Sequence, residues 1–372
     1  MIRIGVDVGG TKIEIAAIDE SGAELLRRRA PAPQGGYAEA IGAIAKFVLE
    51  AERAVGAPCS VGIGTPGAVS RETGRLKNAY ASVLNGMPVR PDLERLLGRE
   101  VRFANDANCF ALSEAIDAVA KFVLEAERAV GAPCSVGIGT PGAVSRESGR
   151  LKNAYASVLN GMPVKPDLER LLGREVRFAN DANCFALSEA IDGAAKGAQV
   201  VFGAILGTGV GGGVVVERKA VEGANSIGGE WGHNPLPRPA PGELPGLRCA
   251  CGRDGCIEAF LSGPGLARDH RLATGESREP AEIAALAESG DRGCAATLER
   301  YEERLARALA SVINLLDPDC IVLGGGLSNI GRLYRNVPAL WGRHVYSDTV
   351  VTPLAKAVHG DASGVRGAAR LW

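Results

Sequence analysis

From its first residues the chain alternates apolar and polar positions: Ile2, Ile4, Val6 and Val8, then Ile13, Ile15 and Ala17. That period of two predicts strands over residues 2–8 and 12–18, with a third over 24–30, joined by turns that contain glycine. From Tyr37 to Val55 the spacing lengthens to that of an amphipathic helix. A strand at 61–63, a short helix at 91–97, a strand at 101–104 and a helix from 107 onward follow. Later segments predict strands at 200–206 and 213–217 and a loop-rich stretch over 222–256. Helices are expected around 257–270, 280–288 and 293–316, then a strand at 320–323 and a last helical region. Strands in a run, followed by alternating strands and helices, occur twice, which suggests two α/β lobes with a cleft between them.

The pattern repeats because the sequence does. Ala43 to Asp117 is matched without a gap by Ala118 to Asp192, 75 residues each. The copies differ only where Ile44 becomes Val119, Thr73 becomes Ser148 and Arg90 becomes Lys165. Solenoid repeats drift much further, so this is a duplication of part of one domain. Residues 107–130 contain no Gly or Pro, so the last helix of the first copy can run unbroken into the first helix of the second. The expected organisation is an N-terminal lobe with the first copy over 1–117, the second copy over 118–192, and a C-terminal lobe over 193–372.

Composition narrows the function. With 42 basic and 43 acidic residues, and neither a basic arm nor an acidic tail, the chain does not resemble a nucleic-acid-coating or disordered protein. No run approaches the roughly 18 apolar residues of a membrane helix. The amino terminus enters its first strand without a leader pattern, and nine cysteines, an odd number, suit free thiols and a metal site. A cytoplasmic protein is expected, with no nucleic-acid or membrane partner.

Four motifs carry chemistry. In Gly5-Val-Asp7-Val-Gly9-Gly10-Thr11-Lys12 the glycines allow a tight turn whose amides face an anion, with Asp7 placed for a hydrated magnesium ion. It is no Walker A loop, because Thr precedes Lys and a strand follows. Gly207-Thr208-Gly209-Val-Gly211-Gly212-Gly213 contains G-x-G-x-x-G, yet it too continues as a strand where a dinucleotide site needs a helix. Two such hairpins, one per lobe, can grip a nucleotide's phosphates, and Gly324-Gly325-Gly326 after a strand can let an adenine ring approach backbone. Cys249, Cys251 and Cys256, with His233 upstream, form three thiolates and an imidazole, a closed tetrahedral set for a structural zinc ion. Lastly, Asn105-Asp106 and its duplicate Asn180-Asp181 lie where a strand meets a helix. An Asp there either caps the helix or serves as general base for a hydroxyl nucleophile.

In their order along the chain these motifs resemble the ROK family of sugar kinases and repressors, over everything but one redundant repeat. Lys77-Asn-Ala, Leu84-Asn-Gly, Gly229-Glu-Trp-Gly-His-Asn-Pro-Leu236 and the segment beginning at His359 are most similar to bacterial fructokinases, also called manno(fructo)kinases. The resemblance implies the two-lobed, actin-like, ribonuclease-H-like ATPase fold. It also implies transfer of a phosphoryl group from MgATP to the primary hydroxyl of a hexose, fructose first, with glucose, mannose and N-acetylhexosamines as alternatives; a sugar-binding remnant whose catalysis the duplication has impaired is the other reading. Asp7, Gly9 to Lys12 and Gly207 to Gly209 then contact phosphate and magnesium, while Glu230, His233 and Glu258 bind sugar hydroxyls. Asn180 or Asn105 stands beside the base. A homo-oligomer, a dimer, is expected. The family has one Asn-Asp-Ala-Asn, so one Asp is redundant. The exposed turns where a 75-residue excess is best extruded all precede Asp106, which favours Asp181 as base and leaves Asp106 as the alternative.

Overall fold

The computed structural model describes residues 2–9, 11–19, 23–33, 35–70, 73–77, 82–154 and 159–372; of these, the side chains of 68, 82, 106–108 and 110–113 fall outside the description. The chain divides into two compact units, Met1–Ala132 with Pro166–Arg174, and Pro133–Lys165 with Glu175–Trp372. The second copy of the repeat is therefore shared between them.

The first unit begins with strands β1 (Ile2–Val8), β2 (Lys12–Ile18) and β3 (Glu24–Pro31), then helix α1 (Tyr37–Val55). Strands β4 (Cys59–Thr65), β5 (Ala68–Val69) and β6 (Leu76–Lys77) precede helix α2 (Val89–Leu97), strand β7 (Val101–Asn105) and helix α3 (Asp106–Val130). Its five-stranded sheet has the order β3-β2-β1-β4-β7. Strands β1, β2 and β3 form an antiparallel meander, and β1 runs parallel to β4 on its other side. Helix α1 buries Ile41, Ile44, Val48 and Ala51 in a core shared with Ile4, Ile15, Val61 and Ile63. It ends at Gly56, whose φ of 75° closes the last turn. As expected, α3 passes through the repeat junction without a break, over 25 residues.

In the second copy come β8 (Val136–Thr140), β9 (Ala143–Val144), β10 (Leu151–Lys152), α4 (Val164–Leu172), β11 (Val176–Asn180) and α5 (Asp181–Asp192). Then follow β12 (Val200–Leu206), β13 (Val210–Val216), β14 (Lys219–Ala220) and helices α6 (Ile257–Leu261), α7 (Gly263–Thr274), α8 (Pro280–Glu288) and α9 (Arg292–Leu316). Strand β15 (Cys320–Gly324), helix α10 (Leu333–Trp341), strand β16 (Leu354–Lys356) and helix α11 (Ser363–Ala369) complete the chain. The second unit has a five-stranded sheet, β14-β13-β12-β15-β16, and a separate parallel pair, β8 with β11. Helix α5 lies against β13 at glycine: a Cβ on Gly213 would stand 2.2 Å from the Ala182 carbonyl oxygen. That close approach fixes where Asp181, one residue before Ala182, is presented.

The strand expected at 61–63 runs over Cys59–Thr65 and the helix expected at 91–97 over Val89–Leu97, and two further boundaries move nearer the site. The strand expected at 213–217 runs over Val210–Val216, so the glycines at 211–213 lie within the strand and the tight turn is confined to 207–209. Ser262 splits the helix expected at 257–270, since its hydroxyl accepts from the Gly265 amide and caps α7. Among the described residues no helix is long and apolar enough to cross a membrane.

Candidate functional site

In the second unit, four loops and helix starts converge. Asn180 ends β11 and caps α5, its Oδ1 accepting from the amides of Ala182 (2.9 Å) and Asn183 (3.4 Å), while its Nδ2 donates to the Gly142 carbonyl at 3.2 Å. The capping role considered for Asp181 thus falls to Asn180, one residue earlier. Asp181 accepts from the Ala182 amide at 2.8 Å and keeps one face open to solvent. The protein around its carboxyl makes ionisation costly and raises its pKa, partly offset by the amides at the helix start.

Glu230 is near enough to Asp181 and Glu258 to feel both. Burial raises its pKa first, His233 lowers it, and the two carboxylates raise it further. Glu258, 6% exposed on α6, accepts from the Val210 amide at 3.0 Å. That bond ties the helix to the first residue after the Gly207–Gly209 turn, where the Gly207 amide donates to the Gly209 carbonyl at 3.0 Å. Trp231 holds the loop down, its indole donating to the Gly211 carbonyl at 3.0 Å and its ring meeting Phe202 edge-on. Strands β12 and β15 are parallel neighbours, so Gly207–Gly209 and Gly325–Gly326 lie beyond the same carboxyl ends, with Gly324 closing β15, where open α/β sheets receive ligands. Gly325, with φ 79°, has no room for a Cβ, which would stand 2.5 Å from the Leu206 carbonyl oxygen.

The donor atoms of His233, Cys249, Cys251 and Cys256 all lie within 4.8 Å of one another. Cys249 Sγ is 3.6 Å from His233 Nδ1, and Cys251 Sγ is 3.6 Å from Cys256 Sγ. A zinc tetrahedron with legs near 2.3 Å has edges of about 3.8 Å, so the set fits zinc. Burial pushes the Cys249 thiol up to about 12, so it would ligate as a thiolate at neutral pH only with a cation bound beside it. Cys249 Sγ also lies 3.4 Å from Glu258 Oε1, which couples the metal set to the carboxylate.

The remaining expected residues fall in the first unit. Gly5 and Asp7 lie on β1, and the Gly9 amide donates to the Lys12 carbonyl at 2.9 Å across the turn that includes Thr11. Gly10 is outside the described residues. Asn105 donates to the Gly67 carbonyl at 2.9 Å, as Asn180 does to Gly142, and Asp106 opens α3 with a side chain outside the description.

The ROK family model, described as "ROK family", matches this chain twice, over residues 3–118 and 115–372, and the two matches meet at the repeat junction. The chain belongs to the ROK family. Among its relatives, the N-acetyl-D-glucosamine kinases of Salmonella gallinarum and Escherichia coli O1:K1 are each 43% identical over 260 residues, 69% of this chain and 86% of theirs. A solved ROK hexokinase from Thermus thermophilus is 26% identical with a TM-score of 0.56, covering 99% of this chain and 97% of that one. A ROK family glucokinase from Streptomyces griseus, in complex with glucose and AMPPNP, is 24% identical with a TM-score of 0.54 and shares the fold. The mixed α/β, two-sheet chain has the actin-like ATPase fold of these sugar kinases.

ROK motifs left Glu243 unmarked. It is half-buried in the loop that leads to Cys249, its carboxylate held by Arg304 (2.7 Å) and Arg307 (2.9 Å) from α9. Such pairing is costly to break once buried. The sequence signal was weak, a Glu in a Pro-rich loop and two arginines at i, i+3 on an otherwise apolar helix face.

Asp181 also has a stability signature. Its folded pKa lies above the ordinary value, so wild-type stability falls as pH rises from the unfolded value through the folded one, then levels off. Asp181→Asn has no proton to lose there. Thermal unfolding at pH 3 and at pH 7 should show the variant gaining on wild type as pH rises; a gap that does not change with pH would contradict this environment for the carboxyl.

Proposed function

We propose that this protein is an ATP-dependent sugar kinase that phosphorylates the primary hydroxyl of N-acetyl-D-glucosamine. The observation that carries the reading is the gathering of Asp181, Glu230, Glu258 and His233 beside the Gly207–Gly209 turn, in a chain 43% identical to N-acetyl-D-glucosamine kinases. Those relatives move the substrate assignment from fructose, expected from the motifs, to the N-acetylhexosamine held as an alternative.

In this reading Glu230, Glu258 and His233 accept and donate hydrogen bonds to the ring hydroxyls. Asp181 takes the proton of the primary hydroxyl as its oxygen attacks the γ-phosphorus of ATP. The bond from that phosphorus to the bridging oxygen of ADP breaks, and its electron pair leaves with ADP. Phosphoryl transfer needs mostly positioning and charge stabilisation, to which the Gly207–Gly209 turn beside Asp181 contributes. Asp7, a carboxylate at the end of β1, suits a hydrated magnesium ion, which neutralises phosphate charge when bound. Cys249, Cys251, Cys256 and His233 would hold a zinc ion, which when bound would fix the shape of the sugar loop.

The test is ADP release from MgATP with N-acetyl-D-glucosamine, fructose, glucose and mannose, each against a sugar-free blank. kcat/KM should be highest for N-acetyl-D-glucosamine, by at least about tenfold, if the site hydrogen-bonds the acetamido group that the competitors lack. Fructose in first place would return the assignment to a fructokinase.

A further inference from the structure

Identical sequences in the two copies have unequal surroundings. Strand β4 is paired on both sides, by β1 and β7. Strand β8 repeats its sequence, and among the described residues it pairs only with β11. Cys59 is 5% exposed and Ile63 2%, yet their duplicates Cys134 and Ile138 are exposed and half-buried, and Gly139 is exposed where Gly64 is buried. The helical layer shows the same deficit. Ile44 is 1% exposed and its duplicate Val119 40%, while half-buried Phe47 becomes Phe122 at 73%.

What the second copy lacks is specific. Its internal contacts match those of the first: β8 pairs with β11 in the register of β4 with β7. Glu127–Arg174 repeats the Glu52–Arg99 ion pair. Missing is the partner that β4 has in β1, which occurs once in the chain while the strand that receives it occurs twice.

We propose that the free edge of β8 is a second seat for the β1–β2–β3 meander of the same chain, so that residues 2–31 exchange between two acceptor strands of one sequence. In the second seat Ile2 faces Cys134 and Ile4 faces Val136, the register that Ile2 and Ile4 have with Cys59 and Val61. None of the three differences between copies falls in either acceptor strand, so the local pairing energies match. A swap between two chains would add no strand pairing, since each chain brings one meander and two seats, and it would cost association entropy. The chain's own meander is therefore the occupant. Residues 32–58 span up to about 90 Å at the extended limit of ~3.4 Å per residue once α1 leaves the core and unwinds, its place over the meander being taken by the duplicate helical segment that carries Val119 and Phe122.

The inference bears on the proposed function and rests on it only for its consequence. The Gly9–Lys12 turn joins the sheet that leads into Asn180–Asp181 only from the second seat. From the first, it joins the sheet that leads into Asn105–Asp106.

Crosslinking reads the seat without sugar or ATP. Ile2→Cys is combined with Cys59→Ala in one protein and with Cys134→Ala in another, and each is treated with a short bis-maleimide and mapped by mass spectrometry. Removing one cysteine is necessary because the peptides around Cys59 and Cys134 are identical. Exchange predicts an intramolecular crosslink in both proteins, with yields within about tenfold. A crosslink in the Cys134→Ala protein alone would overturn the proposal, and so would crosslinks that join two chains. A fluorescent peptide of residues 1–36 provides a second measurement on the wild-type chain. One seat is always empty, so saturable binding of one peptide per chain is expected, and no binding would count against a second seat. Turnover by the form crosslinked at Cys134 is assayed separately, so a failed kinase reading leaves the crosslinking result intact.

Discussion

Asp181→Asn is expected to lower kcat for sugar phosphorylation by about 10³-fold, within the range a general base contributes, and to leave sugar affinity within a few fold. Asp106→Asn should keep wild-type turnover. The asymmetry follows from where each copy ends. Asp181 starts the helix that packs on β12 and β13 and senses the same field as Glu230. Asp106 starts a helix that runs on for 25 residues through the repeat junction. Asn keeps the size and the bond to the Ala182 amide but cannot take a proton. Steady-state kinetics with an isothermal sugar titration separate the two effects. Equal partial losses in both variants would mean that both copies supply a base.

Loss of the metal should be nearly as severe. After zinc removal, or in Cys256→Ser, sugar affinity is expected to fall at least about 100-fold and the 230–258 segment to become protease-sensitive. Structural zinc in small knuckles contributes on the order of 10 kcal/mol of apparent binding energy. Here the buried Cys256 immediately precedes α6, which carries Glu258. Releasing the thiolates frees both Glu258 and His233 from their fixed geometry. Unchanged sugar affinity in protein shown to be metal-free would refute the role.

Much of this arrangement was legible in the chain, for identifiable reasons. The period-two pattern at Ile2–Val8 and Lys12–Ile18 marks strands because one face of each must be buried, and the zinc set announces itself through cysteine spacing. Packing by absence is harder to read. Gly211–Gly213 looks like a loop, but lies in a strand where Trp231 and α5 approach the backbone too closely for a Cβ. Nor does composition separate Asn180 from Asp181, both good caps; the closure of α5 by Asn180 decides it. The fate of the duplication was least legible. Two copies have the same propensities, and what distinguishes them is competition for one meander, a relation between distant segments.

The gathered carboxylates and histidine are proposed to serve phosphoryl transfer to a sugar. The most direct measurement is a phosphorus–proton correlation NMR spectrum of the product formed from MgATP and N-acetyl-D-glucosamine. The new phosphate should couple to the methylene protons of the primary alcohol, with one ADP released per sugar. Inorganic phosphate as the sole product, or phosphate on a ring hydroxyl, would contradict it.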